Sequence, residues 1–149
     1  MKLKKHGILV NILTSYVVGK PPNGVSDYVV GKYTLLGLTK TMAVELGKFG
    51  IRVNSISPSM VNSPLTDKLP SKLKEMTKSQ IPLESRLAEP TEVAGVVLFL
   101  CSEHANYING ENILVTGAAG QIGTDLTTTL RERFGNQNVV AMGLSLIHI

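Results

Sequence analysis

Tryptophan is absent, aromatic residues make up 5% of the chain and cysteine occurs once. This composition excludes an intrachain disulfide framework and offers little for a base-stacking nucleic-acid surface. The lone thiol, Cys101, suits a reducing compartment, so a cytoplasmic location is expected. Its neighbours Val97, Leu98, Phe99 and Leu100 suggest a buried, inert thiol. The histidines His6, His104 and His148 are too scattered for metal-ligand spacing, and no metal is expected. Long hydrophobic runs are missing too. None approaches the roughly 18 to 20 residues of a membrane span. The early run at residues 8–13 is broken by Asn11 and is shorter than the about 7 to 15 apolar residues of a leader. Charge of one sign is scarce: 15 basic against 11 acidic residues give +4, clustered only at Lys2, Lys4 and Lys5. Neither a nucleic-acid nor a membrane partner is implied.

What the chain does have is apolar material, 43% of 149 residues, enough for one globular domain. Residues 8–13 read as a buried parallel strand. Residues 14–24, rich in Gly, Pro, Ser and Asn, read as a loop at its C-terminal end, the edge where open α/β sheets bind ligands. Ser15 lies in that loop. From 26 to 48, Leu35, Leu38, Met42, Leu46 and Phe49 recur at helical spacing, with Val29, Tyr33 and Leu36 as a second apolar side suited to another subunit. Ser26 or Asp27 is expected to cap this helix, and Gly47 or Gly50 to end it. Residues 51–56 form a second strand closed by Pro58, completing a βαβ unit. Residues 60–87 are looser, with a short helix at 71–79. Pro90 opens a helix to about residue 102, apolar nearly all round and hence expected to be buried, with Val93, Val97, Leu100 and Cys101 inward. Asn109-Gly110 supplies a turn and 112–116 a third strand. The expected class is α/β, a partial Rossmann-like three-layer parallel sheet.

Tyr28 and Lys32 stand four residues apart on the first helix, so their side chains share one face. An ammonium fixed beside a phenol favours the phenolate, which makes the pair an acid/base candidate. Alone the spacing is weak: an exposed phenol and a solvated lysine would look the same.

Ser15, Tyr28 and Lys32 in this order and spacing, with Gly-Ile-Leu-Val-Asn-Ile before them and Gly-Ile-Arg-Val-Asn-Ser-Ile-Ser-Pro-Ser after, resemble the second half of a short-chain dehydrogenase/reductase. The likeness continues through Ile81-Pro-Leu-Glu-Ser-Arg-Leu-Ala-Glu-Pro-Thr-Glu-Val-Ala94 to Tyr107-Ile-Asn-Gly110, and is greatest to the branch with 3-oxoacyl-carrier-protein reductases. It implies an NAD- or NADP-dependent oxidoreductase acting on a small carbonyl or alcohol. Tyr28 would be the acid/base, Ser15 would position the carbonyl, and Lys32 would lower the phenol pKa and bind the nicotinamide ribose. Pro58, Ser59, Val61 and Ser63 would run beside the nicotinamide, Ser59 standing where glycine is commoner and Ser63 where threonine is usual. The resemblance also implies a homo-oligomer formed through the helix at 26–48. Such enzymes carry a glycine-rich loop and four strands ahead of the serine strand. Only fourteen residues precede Ser15 here, so residues 1–115 are expected to be an incomplete catalytic half.

Residues 113–123, Ile-Leu-Val-Thr-Gly-Ala-Ala-Gly-Gln-Ile-Gly, lead a strand into Gly117, Gly120 and Gly123 and then a helix with Ile122, Leu126, Leu130 and Phe134 on one stripe. A glycine turn opening a helix presents backbone N–H groups to a pyrophosphate. Residues 112–142 resemble the glycine-rich start of an extended short-chain dehydrogenase, the epimerase-like branch, with a last strand near 138–142. Residues 143–149 fit neither pattern and resemble adapter read-through. The chain is therefore expected to be truncated or chimeric. Two other readings stay open: a non-catalytic nucleotide-binding module using Gly117, Gly120 and Gly123, and an inactive fragment that only self-associates.

Overall fold

The computed structural model describes residues 1–117. Gly120, Gly123, the helix expected after them, the strand at 138–142 and the tail at 143–149 lie outside the described residues.

Alternation along one strand organises the rest. In β2, Ile51–Pro58, Ile51 and Val53 face one side and Ile56 the other. β2 lies between two parallel neighbours, β1 (Gly7–Ile12) and β3 (Asn112–Val115), in the order β1-β2-β3. Gly7 is level with Ile51 and Ile12 with Ile56, while Ser55 is level with Asn112 and Pro58 with Val115. Helix α1, Ser26–Gly47, covers the Ile51/Val53 face through Ala43, Met42 and Leu46, joined by Leu9 and Phe49. Helix α4, Pro90–Cys101, covers the other through Leu100, Val93, Val96 and Val97, joined by Ile56, Val10 and Ile113. Helix, sheet, helix is the expected three-layer arrangement. Short helices α2 (Pro64–Asp67) and α3 (Ser71–Ser79) fill the excursion between β2 and α4.

Buried polar groups on β2 tie in β3. Ser55 and Ser57 both donate to Asn112 Oδ1, at 3.1 and 2.8 Å. Asn54 Nδ2 donates to the Ile108 carbonyl at 2.8 Å and its Oδ1 accepts the Glu111 N–H at 3.0 Å. Every one of these low-dielectric polar atoms is thus satisfied, as burial requires.

Several expectations need correction. β2 runs past Ile56 to Pro58, although a proline was expected to close it. The reason lies in direction. Leu13 N–H donates to the Ile56 carbonyl, so even-numbered residues of β2 face β1; at Pro58 that neighbour has ended, and no ladder hydrogen bond is lost. On the other side Ser59 N–H still donates to Val115. Helix α1 is capped by neither Ser26 nor Asp27; Val25 is its N-cap, without a side-chain hydrogen bond, and Asp27 sits in the first turn, where its charge suits the dipole. The buried residues of α1 are Val29, Thr39 and Ala43, while Leu38 and Tyr33 face outward. The small Thr39 and Ala43 let the helix backbone approach the sheet, which a count of large apolar residues misses. Cys101 is exposed rather than buried, and Leu98 (71% exposed) and Phe99 also face out of α4. Only one side of that helix meets the sheet. No helix among the described residues is long and apolar enough to cross a membrane.

Candidate active site

Because the three described strands are parallel, the segments that follow them emerge at one edge. After β1 come Thr14 and a 3₁₀ turn at Ser15–Val17; Thr14 accepts the Tyr16 N–H at 3.5 Å and so fixes the turn that carries Ser15. After β2 come Pro58, Ser59, Val61 and Ser63. After β3 comes Gly117. The chain then returns from the first turn to the start of α1, where Tyr28 and Lys32 lie.

Lys32 makes the decisive contact. Its Nζ donates to the carbonyl oxygen of Ile12, the last residue of β1, at 2.7 Å. The same Nζ lies 5.6 Å from the centroid of the Tyr28 ring. The ammonium is therefore tied to the sheet edge and lies over the Tyr28 ring, on the helix face that the four-residue spacing lets them share. Tyr28 is 44% exposed. Together with Asp27, Gly31, Thr34, Leu35 and Leu38, the pair lines a shallow depression of about 450 Å³ along α1. The hydroxyls of Tyr28 and Ser15 make no hydrogen bond within the described residues, which leaves both open to a ligand oxygen. Ser15 is half-buried in the neighbouring turn and does not line the depression. A second phenol, Tyr16, follows Ser15; burial pushes its pKa up, and the charge Tyr28 would carry pushes it further.

The segment after β2 is held at its neck. Val61 bridges Ala88, Asn62 N–H donates to the Ala88 carbonyl at 2.8 Å, and Asn62 Nδ2 donates to Glu89 Oε1 at 3.1 Å. Ser63 is engaged locally: it is the N-cap of α2 in a capping box with Thr66. Ser59 lies at the sheet edge beside Val115. Gly117 has φ +54, a left-handed conformation, and a β-carbon there would stand 3.1 Å from Ile81. The structure thus packs Gly117 against the chain between α3 and α4. Gly120 and Gly123 lie outside the described residues. No cluster of potential metal ligands occurs among the described residues.

Sequence reading missed three participants. The Ile12 carbonyl has no side-chain signature at all. Asn11 and Thr39, 28 positions apart, join through a hydrogen bond of 2.9 Å, one residue before the Ile12 carbonyl that accepts from Lys32. The visible signal was an amide interrupting an apolar strand and a hydroxyl on the covered side of a helix.

The family model described as enoyl-(acyl carrier protein) reductase matches residues 1–118. Over 112 residues the chain is 43% identical to a (3R)-3-hydroxyacyl-CoA dehydrogenase of Rattus norvegicus, covering 74% of this chain and 42% of that protein. It is 42% identical over 115 residues to the 3-oxoacyl-[acyl-carrier-protein] reductase FabG of Thermotoga maritima, covering 76% of this chain and 46% of that one. Among solved structures, a 3-oxoacyl-[acyl-carrier protein] reductase from Brucella melitensis superposes with a TM-score of 0.72 at 28% identity, over 78% of this chain and 43% of that one. The chain spans less than half the length of these relatives.

Proposed function

Because the chain belongs to the short-chain dehydrogenase/reductase family, we propose that its Ser15, Tyr28 and Lys32 form the acid/base site of a nicotinamide-dependent oxidoreductase that interconverts a carbonyl and an alcohol. One observation carries this reading: the Lys32 ammonium is fixed to the Ile12 carbonyl at the C-terminal end of β1 and lies over the Tyr28 ring.

Tyr28 gives its phenolic proton to the substrate oxygen in reduction and takes it back in oxidation. The ammonium of Lys32 stabilises the negative charge left on the phenol oxygen as that proton moves. Ser15, with its hydroxyl open, donates to the same substrate oxygen and orients it. The donor set also fits the ribose end of a nicotinamide dinucleotide, NAD or NADP. An ammonium has three N–H donors, and Lys32 gives one to Ile12, so two remain for ribose hydroxyls. When bound, that group supplies or accepts the hydride. Pro58, Ser59, Val61 and Ser63 lie along the same edge and are proposed to flank it. The names of the relatives support a 3-oxoacyl or 3-hydroxyacyl thioester as the substrate class. Association through α1 belongs to the same proposal and is supported by the outward Val30, Tyr33, Leu38 and Val44. So does a cytoplasmic site of action, which the single thiol suits.

A second part of the proposal concerns organisation. Residues 1–115 act as the catalytic unit. Residues 112–142 start a second βαβ unit of the extended type, with Gly117, Gly120 and Gly123 as its phosphate-facing turn, and 143–149 form a tail. The left-handed conformation of Gly117 is what such a turn needs at its first glycine.

The test is a fluorescence titration of the folded chain with NADH and NADPH, repeated on Lys32→Met. Saturable binding that weakens at least about tenfold in the variant is expected, the scale of one lost charge-assisted hydrogen bond. Binding that Lys32→Met leaves untouched would remove Lys32 from the cofactor site.

A further inference from the structure

We propose that the hydrogen bond between Asn11 and Thr39 is a register pin that fixes where Tyr28 and Lys32 stand along β1, making Asn11 and Thr39 positioning residues for the acid/base pair. The inference rests on the reading of Tyr28 and Lys32 given above.

Helix α1 returns over the sheet face that carries Leu9, Asn11, Ile51 and Val53. Its contacts with β1 form an ordered series: Leu9 packs in the cluster of Ala43, Met42 and Leu46, Asn11 meets Thr39, and Ile12 receives Lys32. Lys32 and Thr39 are seven residues apart, two turns along the same stripe. Leu9, Met42 and Leu46 make the contact beyond Asn11 apolar, apart from Asn109, which accepts the Val53 N–H at 2.8 Å and donates to the Ala43 carbonyl at 3.1 Å one turn further along α1, so that Asn11–Thr39 is the tie nearest the Lys32 end. Apolar contacts are non-directional and define axial position poorly, so that a slip of one turn would carry the first turn of α1 about 5.4 Å along the sheet. A buried hydrogen bond is directional and resists such a slip.

Thr39 is built for this. It is fully buried, and its Oγ1 donates to the Leu35 carbonyl at 2.8 Å, which leaves its lone pairs for Asn11 Nδ2 at 2.9 Å. Removing the Asn11 amide therefore strands no buried donor: Thr39 keeps its intrahelical partner. What is lost is the tie to β1, one residue away from the carbonyl that holds Lys32.

The experiment reads that neighbouring contact directly, by the carbonyl-carbon resonance of Ile12 in the isotopically labelled full chain. Lys32→Met sets the reference by removing the donor to that carbonyl. Asn11→Ala is expected to move the Ile12 resonance at least halfway to its Lys32→Met position, with the circular dichroism of the folded chain retained. Thr39→Val is expected to do the same, and Thr39→Ser, which keeps the hydroxyl, to leave the resonance at its original place. Should Asn11→Ala fail to fold, the contrast between Thr39→Val and Thr39→Ser decides. A folded Asn11→Ala or Thr39→Val chain whose Ile12 resonance does not move overturns the pin while leaving the Lys32 contact standing. If Lys32→Met itself leaves Ile12 unmoved, the Lys32 contact fails, and the pin falls with it.

Discussion

Gly50 has φ +66, and a β-carbon there would stand 2.5 Å from the Lys5 carbonyl oxygen, a backbone atom that cannot swing aside. Gly50→Ala is expected to destabilise the chain by about 1 to 3 kcal/mol, combining left-handed strain with the clash, as a lower urea midpoint at unchanged slope would show. Arg52 works at the same scale from the other end of the sheet. Its guanidinium donates to the Leu100 carbonyl at 2.8 Å and to Ser102 and Ile108 at 3.4 Å, closing the C-terminal end of α4 with a cation where the helix dipole is negative. Arg52→Met should cost about 1 to 3 kcal/mol, and amide exchange should quicken first at residues 99–102. Legibility at this scale follows sequence distance. Tyr28 and Lys32 could be set on one face because four-residue spacing on a helix is a local rule, and the Lys32 Nζ stands 5.6 Å from the Tyr28 ring centroid. Asn11 and Thr39 could not be paired, since their meeting depends on which face of α1 lands on which face of β1. The Ile12 carbonyl belongs to the backbone, which every residue shares.

At the scale of elements, the connection between α3 and α4 is the most strained described segment. Glu84 and Ser85 have φ of 54 and 48, two consecutive non-glycine residues in the left-handed region. Arg86 holds them: its Nε donates to Glu84 at 2.7 Å, and its two terminal nitrogens grip Glu92 at 2.8 and 2.7 Å. Ser85→Gly is expected to stabilise the chain by about 0.5 to 1 kcal/mol, the released strain less the extra unfolded-state freedom of glycine, read as a raised thermal midpoint. The Arg86 hydrogen bonds, aided by the Glu89 N–H, lower the Glu92 pKa to about 2. A carboxylate depressed on folding contributes stability above its unfolded pKa and loses it as pH falls through the folded one. The clasp is therefore intact at neutral pH and should loosen between about pH 4.5 and 2, where protonation begins to compete. Pepsin cleavage within residues 80–90 should rise over that interval, and should already be fast at its upper end in Glu92→Gln. The helices at 26–47, 71–79 and 90–101 were readable to within a residue or so because periodicity and proline punctuation are local. Their outward faces were not. Leu98, Phe99 and Cys101 are apolar by composition and exposed by geometry, because one sheet face covers only one side of a helix.

At the scale of the whole molecule, the parallel order of the three described strands, with a helix layer on each face, follows from alternation in β2 and from the βαβ rhythm, both visible in the sequence. Which apolar surface is left over depends on the assembled layers. On α1 that surface includes Val44, 83% exposed, together with Val30 and Tyr33. Light scattering on a dilution series should give a mass above the 16.0 kDa of one chain, and Val44→Glu should shift it towards one chain. The central claim is that Tyr28 moves the proton while Lys32, held on Ile12, supports it. It is tested most directly by NADH or NADPH oxidation in the presence of a 3-oxoacyl thioester, followed by nicotinamide absorbance, for the chain and for Tyr28→Phe side by side. The account predicts measurable turnover that Tyr28→Phe lowers by about 10² to 10⁴, the range of a lost general acid, with cofactor affinity retained. Turnover equal in the two proteins, or none from a folded chain that binds the cofactor, would contradict it.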